Sequence, residues 1–176
     1  MKGMRILGVD PGLLRTGYGV VEALGSSVSL REGGFIQGGP PSVAMEERLV
    51  SLYDGLREVL TEHTPQVMAL EELYTHYAHP STAVIMGHAR GVICLAAAQA
   101  GIPVFSYAST QVKQSLAGSG RATKAQMQRA IQSRLGLPAL PEPHDVADAL
   151  ALALCHWQVS KATNMIAQAL ERTRKR

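Results

Sequence analysis

Cysteine is scarce in this chain of 176 residues: Cys94 and Cys155 are the only two, far apart and each inside an apolar helical stretch. That excludes a disulfide framework and leaves no Cys/His set with zinc spacing, so two reduced, buried thiols are expected. Long apolar runs are also missing, and none reaches the roughly 18 residues of a membrane-spanning helix. Met1-Lys2-Gly3-Met4-Arg5 leads straight into a strand-like run, so no signal peptide is expected. Internal repeats, linkers and low-complexity tracts are absent too. What is present, 46% hydrophobic and 18% charged residues, is the make-up of a globular chain with a real core.

One more absence is informative. From Leu73 to Pro141 there is no Asp or Glu, while Arg90, Lys113, Arg121, Lys124, Arg129 and Arg134 fall in that stretch. All 14 acids lie in 10–72 or 142–171, and the net charge is only +3. A basic half beside an acidic cluster is the pattern of a polyanion, nucleic acid above all, steered towards a metal site. A chance gap in charge on a solvated face is the plain alternative.

The periodicity predicts an α/β chain, 1–176, in one domain with its core over about 4–160. Residues 4–10 read as a buried strand, and Asp10-Pro11-Gly12 as a turn. Gly17 to Ala23 and Val28 to Gln37 read as strands around a Gly25-Ser26-Ser27 hairpin turn. A helix is expected from Pro40-Pro41-Ser42 through His63, a fourth strand over 66–71, and a helix from Ser81 to Ala100. Pro103 to Tyr107 reads as a fifth strand and Ser109 as the start of a short helix. Thr123-Lys124-Ala125-Gln126 matches a capping box, and a last helix runs from about Asp145 into the 160s. The basic tail, 171–176, is expected to fray. Three strands, then helix–strand–helix–strand, give a mixed five-stranded sheet with helices on both faces.

Within that frame Asp10 and Glu71 end strands one and four, where ligand sites form if the strands are parallel neighbours. Asp145 and Asp148, three apart, share one face of the first turn of the last helix. Each has a plain reading as well: helix capping for Asp145 and Asp148, a turn acid for Asp10. Glu71 is harder to explain that way, because it follows four apolar residues. Carboxylates brought together repel unless a cation neutralises them, and an all-oxygen set suits Mg²⁺. Two ions would then activate a water and stabilise a leaving 3′ oxygen.

Lys113, just after strand five, falls near the same sheet edge and would neutralise a scissile phosphate, or is a surface lysine. Gly118-Ser119-Gly120-Arg121, leading to the Thr123 cap and Lys124, has the make-up of a phosphate cradle. Tyr74 is an aromatic three residues beyond Glu71, placed to stack on an unpaired base or to pack over the sheet edge. His76, His79 and His88 show no metal pairing, and His144 reads as helix-entry packing or a proton-transfer aid. Gly87 and Gly91, four apart, allow close helix approach, either to a second copy or to the sheet.

Taken together, Ile6-Leu7-Gly8-Val9-Asp10-Pro11-Gly12 with Thr16-Gly17-Tyr18-Gly19-Val20 resembles the opening of RuvC-type Holliday-junction resolvases. Ala69-Leu70-Glu71-Glu72, Gln111-Val112-Lys113-Gln114 and Asp145-Val146-Ala147-Asp148-Ala149-Leu150-Ala151 resemble the later blocks, in order, across about 4–158. The resemblance implies a ribonuclease H-like fold and a cytoplasmic, homodimeric enzyme dependent on Mg²⁺ or Mn²⁺. It implies symmetric nicking of two like-polarity strands of a four-way junction in recombination and repair, leaving 5′-phosphate and 3′-hydroxyl ends. By motif position Asp10, Glu71, Asp145 and Asp148 would bind the metal, with Lys113 in catalysis. Tyr74, Lys113, Arg121 and Lys124 would touch DNA, and RuvA with RuvB would deliver the junction. Two competing readings remain. The Asp-x-Gly turn also resembles the phosphate loop of actin/Hsp70-type ATPases, and a junction-binding protein with decayed chemistry would keep the fold.

Overall fold

The computed structural model describes residues 3–73 and 80–174. Strands β1 (Met4–Asp10), β2 (Arg15–Leu24) and β3 (Ser27–Gln37) come first, followed by helix α1 (Met45–His63) and strand β4 (Val67–Glu71). Helix α2 (Pro80–Gln99), strand β5 (Val104–Tyr107), and helices α3 (Ser109–Ala117), α4 (Lys124–Leu135) and α5 (His144–Arg174) complete the chain. The sheet order is β3-β2-β1-β4-β5. The pairs β1/β2 and β2/β3 are antiparallel, whereas β1/β4 and β4/β5 are parallel. This is the expected mixed five-stranded sheet, and it makes β1 and β4 parallel neighbours.

Alternation along the strands sends side chains to two cores. Ile6 and Ala69 join Val146, Leu150 and Leu154 of α5 on one face. Leu7, Val9, Met68 and Leu70 join Leu52 and Leu56 of α1 and Ile93 of α2 on the other. Helix α5 lies directly on strand backbone. A Cβ added at Gly8 would stand 1.9 Å from the carbonyl oxygen of Ala149, and one at Gly17 2.1 Å from that of Asp145. No side chain fits at either position, so glycine sets the helix-to-sheet spacing.

Several boundaries differ from expectation. Helix α1 starts at Met45, not at Pro40-Pro41-Ser42, because Val43 N–H donates to the Pro40 carbonyl (3.0 Å) and closes a turn first. The hairpin turn is tighter, with Ser27 already in β3 and Gly25 at φ 61°. Helix α5 continues through Arg174, so Glu171–Arg174 extend the helix rather than fray. Helix α2 does have the length and composition to cross a membrane over Ser81–Gln99, and little of that stretch is buried. Its buried stripe, Ala89, Ile93, Ala96 and Ala97, packs into the core it shares with α1. The capping box at Thr123 forms as expected; both cysteines are free, but only Cys155 is buried, Cys94 being partly exposed on α2.

Candidate functional site

Parallel pairing of β1 with β4 sets Val9 beside Leu70, so Asp10 and Glu71 leave adjacent strand ends on the α5 side of the sheet. The turn after Asp10 is fixed internally. Buried Thr16 donates its Oγ1 hydrogen to the Gly12 carbonyl (2.6 Å) and accepts from the Gly12 N–H (3.3 Å). Arg90 of α2 donates to the Glu71 carbonyl and to Ser106 Oγ (2.7 Å), fastening the end of β4 to α2 and β5.

These ends open into a cavity of about 190 Å³ whose titratable lining is Asp10, Glu71, Asp148, Lys113, Lys124 and His144, with Ser109 and Gln128 as further polar groups. Burial, then the charges of Glu71, Asp148 and Asp145, push the Asp10 carboxyl up to about 8, and it shares a hydrogen bond with Glu71. Glu71 is raised chiefly by burial and by Asp148, against the opposing pull of that hydrogen bond, Lys113 and Arg90. Asp148 keeps an exposed edge but is raised as well, by desolvation and the charge of Asp145, opposed by Lys124, His144 and Lys113. Three carboxyls thus share a site where they do not all ionise at neutral pH without added positive charge. Oxygen donors in that condition fit a divalent cation, which supplies the missing charge.

Asp145 stands apart from the cavity lining. Its Oδ2 lies 3.6 Å from Arg15 Nη1, and the Arg15 guanidinium sits 4.4 Å from the Phe35 ring centre. It still reaches Asp10 and Asp148 through its charge. Neither acid caps the helix: α5 already begins at His144, with the Pro143 carbonyl accepting from the N–H of Val146 and of Ala147. His144 is exposed and faces the cavity, so helix-entry packing does not describe it.

The loop before α4 is less of a cradle than its composition implies. The N–H groups of Gly120, Arg121, Ala122, Thr123 and Gln126 all have partners within this loop or the adjoining helices. Arg121 is exposed and outside the cavity lining, and only the side chain of Lys124 reaches in. Tyr74, His76 and His79 lie outside the described residues. His88 bonds the Val84 carbonyl on its own helix (2.9 Å).

Sequence reading missed the roles of Arg15 and Arg90, which carry no local motif. It also missed a cluster of metal-ligand geometry on the other face of the sheet. One ligand atom each of Glu32, Glu62 and His63 lie within 4.8 Å of one another. No such trio forms among the cavity acids within the described residues.

The model of the family described as crossover junction endodeoxyribonuclease RuvC matches residues 6–156. This chain belongs to the RuvC family. The RuvC of Rhodopirellula baltica is 51% identical over 165 residues, covering 94% of this chain and 91% of that one. The RuvC of Pelotomaculum thermopropionicum is 50% identical over 153 residues, covering 87% and 92%. Among solved structures, Thermus thermophilus RuvC in complex with a Holliday junction substrate superposes with a TM-score of 0.86 at 35% identity, over 91% of this chain and 96% of that one. The yeast mitochondrial resolvase Ydc2 shares the fold, with a TM-score of 0.63 at 15% identity.

Proposed function

We propose that this chain, a Holliday-junction resolvase of the RuvC family, nicks two like-polarity strands of a four-way DNA junction symmetrically, leaving 5′-phosphate and 3′-hydroxyl ends. The observation that carries the catalytic assignment is the convergence of Asp10, Glu71 and Asp148 in one cavity with Lys113 and Lys124. The three acids would hold Mg²⁺ or Mn²⁺, two ions per site, with Asp145 joining once it leaves Arg15. When bound, the metal supplies an activated water and charge stabilisation at the leaving 3′ oxygen. Lys113 offers an ammonium to the scissile phosphate, and Lys124 draws the DNA backbone towards the acids. Arg121 serves only the flanking duplex, and Tyr74 stacks at the junction.

Homodimerisation finds support in α2. Val84 and Leu95 are 60% and 52% exposed, and no atom of the described residues lies within 4 Å of a Cβ added at Gly87 or Gly91. These positions recur on one helix face turned away from the sheet, so packing on the sheet does not account for the glycines. A second copy there would cover the apolar surface and set two nuclease sites for paired cuts. Delivery by RuvA and RuvB, and a cytoplasmic setting, follow from the family resemblance. The ATPase reading is weakened locally, because the Gly12 amide bonds Thr16 rather than standing free for phosphate.

The test is nicking of a synthetic four-way junction with and without Mg²⁺. Cleavage should need the metal and vanish in Asp10→Asn, while junction binding persists. Metal-independent cleavage, or loss of binding with unchanged cleavage per bound junction, would overturn the assignment.

A further inference from the structure

The second cluster is built by a break in strand regularity. Val20 pairs with Glu32 but Val21 pairs with Leu30, so Arg31 is an extra residue, a β-bulge. Val28 and Leu30 pack towards α5, whereas Ile36 packs with α1 and α2. The bulge is where β3 changes face, and it turns Glu32 towards α1 instead of α5. The nuclease acids occupy the α5 face, so the two clusters lie on opposite faces of the sheet.

Glu32 is then held at one oxygen. Tyr18 donates its hydroxyl hydrogen to Glu32 Oε1 (2.6 Å), passing over Gly34, where an added Cβ would stand 2.7 Å from that hydroxyl oxygen. Burial, followed by the bond to Glu32, holds the Tyr18 hydroxyl up to about 12, so it stays a donor. The other oxygen, Oε2, lies 3.2 Å from His63 Nε2. That nitrogen is closed to solvent and, among the described residues, has no partner in hydrogen-bonding direction. His63 ends α1 with its backbone pinned: Arg5 donates to its carbonyl (2.8 Å), and Thr64, at φ 43°, returns its N–H to Leu60 (3.0 Å). Glu62 brings the third donor from the exposed side.

We propose that Glu32, Glu62 and His63 form a second metal site, separate from the nuclease centre, that takes a divalent transition ion of the Zn²⁺ class. Two carboxylates balance one dication. An imidazole nitrogen selects zinc-like ions over Mg²⁺. Bonds of about 2.0–2.1 Å to a tetrahedral ion place ligand atoms roughly 3.3 Å apart, close to the His63–Glu32 separation. Tyr18 acts as an outer partner that orients the ligating carboxylate. The ion would clamp the end of α1 to the middle of β3, and water would complete its shell on the open side.

Chelator-stripped protein carrying Asp10→Asn, which weakens the nuclease centre as a competitor, is titrated with Zn²⁺ against a chromophoric chelator. The same titration is run after adding Glu62→Gln, an exposed change that leaves the fold intact. One Zn²⁺ per chain is expected, with affinity falling about 10-fold or more in the Glu62→Gln protein. Zn²⁺ should raise the melting temperature of the first protein more than that of the second. Co²⁺ should give the intense visible bands of a tetrahedral site, weakened by Glu62→Gln. Equal Zn²⁺ affinity in both proteins, or no uptake by either, would refute the site.

Discussion

Asp10 joins the largest electrostatic cost to the most central position. Its folded carboxyl titrates near 8 against an ordinary value of 3.8, so the folded chain holds a proton that the unfolded chain releases. The stability tied to that proton is complete below about pH 4 and is lost as pH rises through about 8. In chelator, then, raising pH from 5 to 8 should lower the melting temperature of the native chain, and Asp10→Asn should flatten that slope. At pH 8 the variant should be more stable by about 2 kcal/mol after allowance for solvent screening, or roughly 4–8 °C. Differential scanning calorimetry at the two pH values decides this, and parallel slopes would show that Asp10 ionises freely. Arg15 is the counterpart case. It neutralises Asp145 from outside the cavity, which explains why the fourth acid of the sequence motif stands aside. Nothing in the spacing of Asp145 and Asp148 foretells that, because Arg15 reaches Asp145 from a strand 130 positions away.

Among the elements, those with a local signal were legible and those shaped by tertiary contact were not. Thr123 and Gln126 bond each other's backbone, so the capping box announced α4 from four residues. Strand β4 was legible from its apolar run, and its cavity-facing end from Glu71. The bulge at Arg31 had no signature, because residues 28–36 alternate without interruption, so the face change is visible only through pairing with β2. The start of α1 was misplaced because Pro40-Pro41 favours a turn as readily as a first helical turn. Helix α2 makes the clearest prediction at this scale. Leu95→Glu sets a charge on its exposed apolar face, outside the lining of the cavity. Sedimentation should show a dimer for the native chain and a monomer for the variant, which should make single rather than paired nicks. A variant that sediments as the native chain would move the dimer contact off α2.

At the scale of the molecule, charge is segregated along the chain and converges in space. The acid-free segment supplies α3, α4 and the loop between them, and it lays Lys113 and Lys124 across the cavity from Asp10 and Glu71. That convergence was legible as composition, whereas which cations face inward was not: Lys124 does and Arg121 does not. Lys124→Ala should weaken junction binding and reduce the slope of log affinity against log salt by about 1, because one fewer counterion is released. Binding titrations across a salt series measure it, and an unchanged slope would take Lys124 out of the interface.

The two glycines under α5 give the cavity walls different lifetimes. At Gly8 and Gly17 the helix touches the sheet backbone to backbone, with no rotamer to change and no gap to close. Across the cavity α3 and α4 meet α5 through side chains such as Val112, Met127 and Ile131, which have rotamers to exchange. Amide hydrogens of α5 beyond its first turn should therefore exchange with solvent more slowly than those of α3 and α4, which hydrogen exchange read residue by residue checks. On that footing the acids would keep time with the domain, and the lysines opposite them would keep a faster clock.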